Sequence, residues 1–121
     1  MSVADDLYQY VTDSGLFSGY RLQVGQFFGG DNPTDKFVVI KPSGGPKIRL
    51  VRDQNYSINI IGPVESGGYD EIAIAESFAD YVAANYQYGT IVGMTPSIGP
   101  LVFSAENRPV IEIGLSLIVS L

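Results

Sequence analysis

The chain has no cysteine and no histidine among its 121 residues. The first absence excludes disulfides and thiol nucleophiles, and the two together exclude most zinc sites and every acid/base scheme built on imidazole. No apolar run approaches the eighteen or so residues of a membrane span, so no membrane partner is expected. Positive charge is also scarce. Seven lysines and arginines stand against thirteen acids, for a net charge of −6, a balance unsuited to gripping nucleic-acid phosphates. Residues 1–15 carry Asp5, Asp6 and Asp13 where a secretory signal needs a basic start and an apolar stretch, so synthesis and use in a cytoplasm are expected.

What is present suffices for one domain over residues 1–121: hydrophobic content is 45%, enough for a core that buries about two-thirds of the unfolded surface. Charge is unevenly placed. Residues 36–52 hold Lys36, Lys41, Lys47, Arg49 and Arg52 and no acid, whereas the rest of the chain has two basic residues and all thirteen acids. Such a cluster is either a solvated face or one half of a complementary contact between copies.

Along the chain, Ser2 and Asp5 resemble a capping box, and Val3, Leu7, Tyr10 and Val11 recur at helical spacing up to Gly15. The three acids of this helix are expected in water, with Asp5 and Asp6 at the positive end of its dipole. Tyr20, Leu22 and Val24 alternate with Arg21, Gln23 and Gly25 in a strand expected over 20–28, which ends in the turn formers of 29–33. Phe37, Val38, Val39 and Ile40 read as a central strand covered on both faces. A short strand near 48–51, a turn at 53–55 and an alternating strand at 56–61 complete what reads as a meander. Residues 69–86 form the main helix, with Ile74, Phe78, Tyr81, Val82 and Tyr86 as its apolar stripe and Asp70, Glu71, Glu76 and Asp80 as an acidic ridge on the solvent side.

A strand at 90–92 and a loop at 93–100 are expected next, then a hairpin with its turn at 105–108. Its second arm places Ile111, Ile113, Leu115, Leu117, Val119 and Leu121 on every second position, with Gly114 as a candidate bulge and the odd-numbered face under the main helix. At roughly 40 Å this arm is about twice the usual strand length, which suggests contacts beyond the monomer. The fold class is therefore α+β: a mixed, mostly antiparallel sheet with an N-terminal helix, one long helix packed on the sheet, and a C-terminal β-hairpin.

Chemistry is hard to assemble from these residues. Gly44-Gly45-Pro46-Lys47 has the glycines and lysine of a phosphate loop, but Pro46 removes a backbone donor and no helix follows. Phe17-Ser18-Gly19 lacks the flanking glycine of a nucleophile elbow. Asp31 and Asp35 flank a loop without the spacing of a calcium site, and Asn55-Tyr56-Ser57 matches a glycosylation acceptor without a secretory context. No catalytic residue, metal or cofactor is expected. Tyr8, Tyr10, Tyr81, Tyr86 and Tyr88 lie in or beside helices that carry acids, a mixture found both in cores and at protein contacts.

The order of elements resembles the tail terminator proteins of long-tailed phages and their minor capsid and neck relatives. The likeness is carried by residues 69–86, by Met94-Thr95-Pro96-Ser97-Ile98-Gly99-Pro100, by Ala105-Glu106-Asn107-Arg108-Pro109-Val110 and by the terminal strand. The resemblance implies a non-enzymatic virion protein that forms a sixfold ring on the tail tube protein, ends tube growth and meets the head connector protein, while DNA passes without specific binding. Lys41, Lys47, Arg49 and Arg52 facing Asp70, Glu71, Glu76 and Asp80 of a neighbour would suit the unlike surfaces that a ring joins. Two other classes compete. One is a small-molecule-binding or regulatory module that uses Gly29-Gly30-Asp31 and Ser66-Gly67-Gly68; the other is an enzyme working with carboxylates and tyrosine alone, for which no pair of acids stands out.

Overall fold

Period-two burial runs the whole length of the last strand and organises the domain. In the computed structural model, which describes residues 3–25, 32–42 and 53–120, β5 covers Pro109–Val119 and buries every odd-numbered residue. Its neighbours are β3 (Asp53–Ile61) and β4 (Ile91–Phe103), both antiparallel to it. β2 (Phe37–Pro42) pairs antiparallel with β3, and β1 (Arg21–Val24) pairs parallel with β2. The order across the sheet is β1-β2-β3-β5-β4. The sheet is thus mixed and mostly antiparallel, as expected, but its first half is not a meander because β1 and β2 run the same way.

Both helices lie on one face. The helix α1 (Val3–Asp13) inserts Leu7, Tyr10 and Val11 into the main core. The helix α2 (Tyr69–Ala84) contributes Ala75, Phe78 and Val82, which meet Ile111, Ile113, Leu115, Leu117 and Val119 of β5 and Val38, Ile40, Ile58 and Ile60 of β2 and β3. It ends two residues before the expected limit, where the Asn85 N–H donates to the Tyr81 and Val82 carbonyls. Phe37, Val39 and Ile61 point to the opposite face and form a small second cluster with Val110. That accounts for the unbroken apolar run of β2, an interior strand buried on both sides.

Three local readings are corrected. Residues 93–100 are not a loop: β4 runs unbroken through them, with register irregularities between Ile91 and Gly93 and between Ile98 and Leu101. Pro96 is tolerated because β4 is an edge strand, and the irregularities that bend the strand lie there rather than at Gly114. Asp53, Gln54 and Asn55 are the start of β3, not a turn. Asp53 and Asn55 can be polar because they pair with Ile118 and Ser116 on the face that no helix covers. The expected strand near 48–51, the loop 29–31 and the Ser2 cap lie outside the described residues.

The β4–β5 hairpin closes through a turn in which the Asn107 N–H donates to the Ser104 carbonyl and the Ser104 N–H to the Arg108 carbonyl. Asn107 sits at φ 65°, a conformation that asparagine tolerates better than most residues.

Candidate assembly surfaces

The residues expected to carry an interface are distributed as follows. Asp70, Glu76 and Asp80 are exposed on α2, whose described neighbours include no base on the same helix. Lys41 is exposed near the end of β2. Its register partner is Ser57, which pairs in turn with Gly114, so Lys41 projects from the face opposite the helices. The structure therefore separates Lys41 and the acidic ridge by the thickness of the sheet. Lys47, Arg49 and Arg52 lie outside the described residues.

Glu71 does not belong to the ridge. It is buried, with Oε2 accepting a 2.5 Å hydrogen bond from the Tyr20 hydroxyl, while Oε1 has no hydrogen-bond partner among the described residues. The reason is its position in the first turn of α2, where the helix begins against Gly62 and Pro109. A Cβ added at Gly62 would stand 2.5 Å from Oε1, so only glycine leaves room for the carboxylate. Burial, followed by the bond to Glu71, pushes the Tyr20 hydroxyl well above its ordinary range.

Asp6 is a parallel correction. It was expected in water, yet it is 2% exposed and accepts from both the backbone N–H (3.0 Å) and the hydroxyl (2.6 Å) of Thr90. The Thr90 hydroxyl first, and its N–H second, hold the Asp6 carboxyl below its ordinary value. Gly89, at φ 55°, leaves Asp6 space, since a Cβ there would lie 2.7 Å from Oδ2. The aromatic residues extend this junction. Tyr10 packs against Phe78, Tyr81 and Tyr88 and donates to the Asn85 carbonyl at 2.8 Å. Tyr10 is thus core, whereas Tyr8 and Tyr86 stay exposed.

At the other end of the sheet Arg108 is 3% exposed. Its guanidinium donates to the carbonyls of Asp35 (2.7 Å), Gly62 (3.2 Å) and Asn32 (3.2 Å) and sits over the Phe37 ring. A buried cation satisfied by backbone carbonyls ties three loops together, and so is structural. The glycine loop at 66–68 is likewise turn chemistry. Gly68, at φ 83°, caps α2 and accepts no side chain without meeting Leu101 at 2.8 Å. The other glycine loop offered for a ligand lies outside the described residues. A groove of about 450 Å³ on the uncovered face is bordered by Asn59, Ser97, Val102, Glu112 and Gly114, with Glu112 the charged group among the described residues that line it. Among the described residues no group of three or more acids could hold a metal ion.

The molecule is thus a single α+β domain whose buried charges serve the fold and whose acidic α2 ridge lies on the opposite side of the sheet from Lys41. Its sequence matches the family model described as phage tail termination protein over residues 1–120, and the chain belongs to that family. No curated protein matches it. One solved structure aligns with a TM-score of 0.54 at 12% sequence identity, over 99% of this chain and 98% of the other, and so shares the fold. Membership gives the protein a structural role in phage tail assembly, a place in the virion, and other tail or head components as partners. Among the described residues no helix is long and apolar enough to cross a membrane.

Proposed function

We propose that copies of this chain close into a ring, six subunits in the simplest case, on the finished tail tube, stop further tube subunits from adding, and present the surface that joins the head connector. Assembly would take place in the host cytoplasm, and the role requires no catalysis. The observation that carries the reading is the match to the phage tail termination family over residues 1–120; the surfaces offered for the contact are the uncovered side of the sheet, where Lys41 stands with Asp53 and Glu112, and the α2 side, where Asp70, Glu76 and Asp80 stand without a base on the same helix. Unlike surfaces on one subunit cannot meet each other, but they can meet head to tail between copies, which is the contact a ring repeats. Lys47, Arg49 and Arg52 extend the basic side in sequence. Exposed pairs contribute about 0–1 kcal/mol each, so they set register more than affinity. DNA would traverse such a ring without sticking if the lumen is acidic.

Electron microscopy of particles made without the protein tests the role. Overlong tails, or heads and tails left unjoined, are expected; normal virions would end the reading. Reversing charge at Arg49 and Arg52, or raising salt, should weaken ring formation. The binding-module alternative is disfavoured by Gly68, which is committed to capping α2.

A further inference from the structure

Two rows of apolar residues cross the helix side of the sheet from one edge to the other. Register partners point to the same face, so Val24, Ile40, Ile58, Ile113 and Ile98 form one row through β1, β2, β3, β5 and β4. Leu22, Val38, Ile60, Ile111 and Leu101 form the next. The inner three residues of each row lie in the core, whereas the ends emerge: Val24 is 49% exposed on β1 and Ile98 is 40% exposed on β4. Both edges of this face therefore end in exposed apolar side chains.

The two edges differ in shape and charge. One row nearer the hairpin turn, Phe103 pairs with Pro109 on the helix side and is 52% exposed, so it stands at the β4 edge as a knob. Gly68 lies against Leu101, which brings the exposed Asp70 beside the same strand. At the β1 edge the same end of the sheet holds a cleft of about 370 Å³, bordered among the described residues by Val11, Phe17, Gly19, Tyr20 and Leu22. An engineered cavity of about 150 Å³ admits benzene, so a phenyl ring fits here. Lys36 stands at the border of the cleft, its Nζ 4.6 Å from the centre of the Tyr20 ring and 3.5 Å from where a Cβ at Gly19 would lie. Knob and acid thus share one edge, and cleft and cation the other.

Within one chain these edges cannot meet, because β1 and β4 are the outermost of five strands and spacings of ~4.8 Å hold them about 19 Å apart. A second copy placed beside the first, with its helices on the same side, brings the edges together in register. We infer that the β4 edge of one copy packs against the β1 edge of the next, Phe103 entering the cleft beside Tyr20, Ile98 meeting Val24 and Asp70 facing Lys36. The occupant is a copy of this chain because the apolar rows continue across the contact and the charges at its rim are opposite. The contact rests on the ring reading and gives it a direction. Each subunit offers one edge forward and the other back, so the contact repeats until the ring closes.

Because the chain has no cysteine, two introduced thiols report this contact alone. With Val24→Cys and Ile98→Cys in one chain, a short bis-maleimide applied to purified particles should give a ladder of covalent multimers on a denaturing gel, while each single variant stays monomeric. A monomer band from the double variant overturns the contact, and formaldehyde fixation of the parent particles then separates the two readings. Multimers of the chain leave the ring standing, whereas a monomer, or particles without the chain, removes the ring as well. Ser18→Cys with Phe103→Cys serves where the first pair disturbs folding. As a second measurement, variant and parent chains are supplied together during assembly and their ratio in particles is read by mass spectrometry. Phe103→Ser should enter at least tenfold less than Val102→Ser, which alters an equally exposed neighbour on the opposite face of β4 and should match the parent within twofold. Equal entry of the two variants would refute the assignment.

Discussion

Asp6 and Glu71 occupy matching places, each a carboxylate in the first turn of a helix and each almost fully buried. Their surroundings differ. Asp6 Oδ2 receives two donors from Thr90, whereas Glu71 receives one from Tyr20 and, among the described residues, keeps Oε1 without a partner. A buried charge stabilises the fold only when hydrogen bonds replace the water it lost. By that measure Asp6 is an anchor that fixes α1 to the start of β4. Glu71 is a carboxylate tolerated because a helix N-terminus and a tyrosine offset part of its desolvation.

The difference can be tested from its strongest consequence downward. Asp6→Ala should lower unfolding free energy by about 2–3 kcal/mol, since it strands the Thr90 donors and leaves a gap; denaturant titration reads the loss, and a cost below about 1 kcal/mol would remove Asp6 as an anchor. Tyr20→Phe should cost about 2 kcal/mol by leaving Glu71 with no donor from this side. That cost should shrink in a Tyr20→Phe, Glu71→Leu double variant, which a double-mutant cycle would register as coupling.

The third prediction concerns pH. The Asp6 carboxyl titrates below its ordinary value in the folded chain, so its contribution is complete above about pH 4 and declines as pH falls through the lowered folded value. Thermal midpoints should therefore fall on acidification below about pH 4, and Asp6→Asn should flatten that slope. Glu71→Gln should lie within about 1 kcal/mol of the parent, because it removes a charge that is only half satisfied; a loss above about 2 kcal/mol would show that the charge itself is used. Glu76→Ala, on the exposed ridge, should change stability by less than about 0.5 kcal/mol.

What the sequence showed and what it hid divide along the same line. The odd-numbered face of β5, the Leu7-Tyr10-Val11 stripe of α1 and the doubly buried Phe37 to Ile40 run were legible because periodicity is a local signal. The burial of Asp6 and Glu71 was not, because their donors lie 84 and 51 residues away. Helix position alone makes such acids look solvent-facing. The parallel pairing of β1 with β2 was hidden for the same reason: strand direction leaves no trace in a four-residue pattern. In β4, dense proline and glycine resembled a loop because an edge strand tolerates them. Of the interface candidates, the exposed acids were legible from helical spacing. The approach of the start of α2 to β4 was not, since Gly68 meets Leu101 only once α2 is laid on the sheet.

The prolines and irregularities of β4 also bear on how the protein can be stored. A flat outer edge of thirteen residues is the kind of template on which cross-β fibres grow. Pro96 and Pro100 can donate nothing to a sixth strand, and the bends beside them break any continuous ladder. Subunits can accordingly accumulate at high concentration without zipping together through their backbones, which leaves the timing of association to side-chain contacts that sequence and salt can adjust.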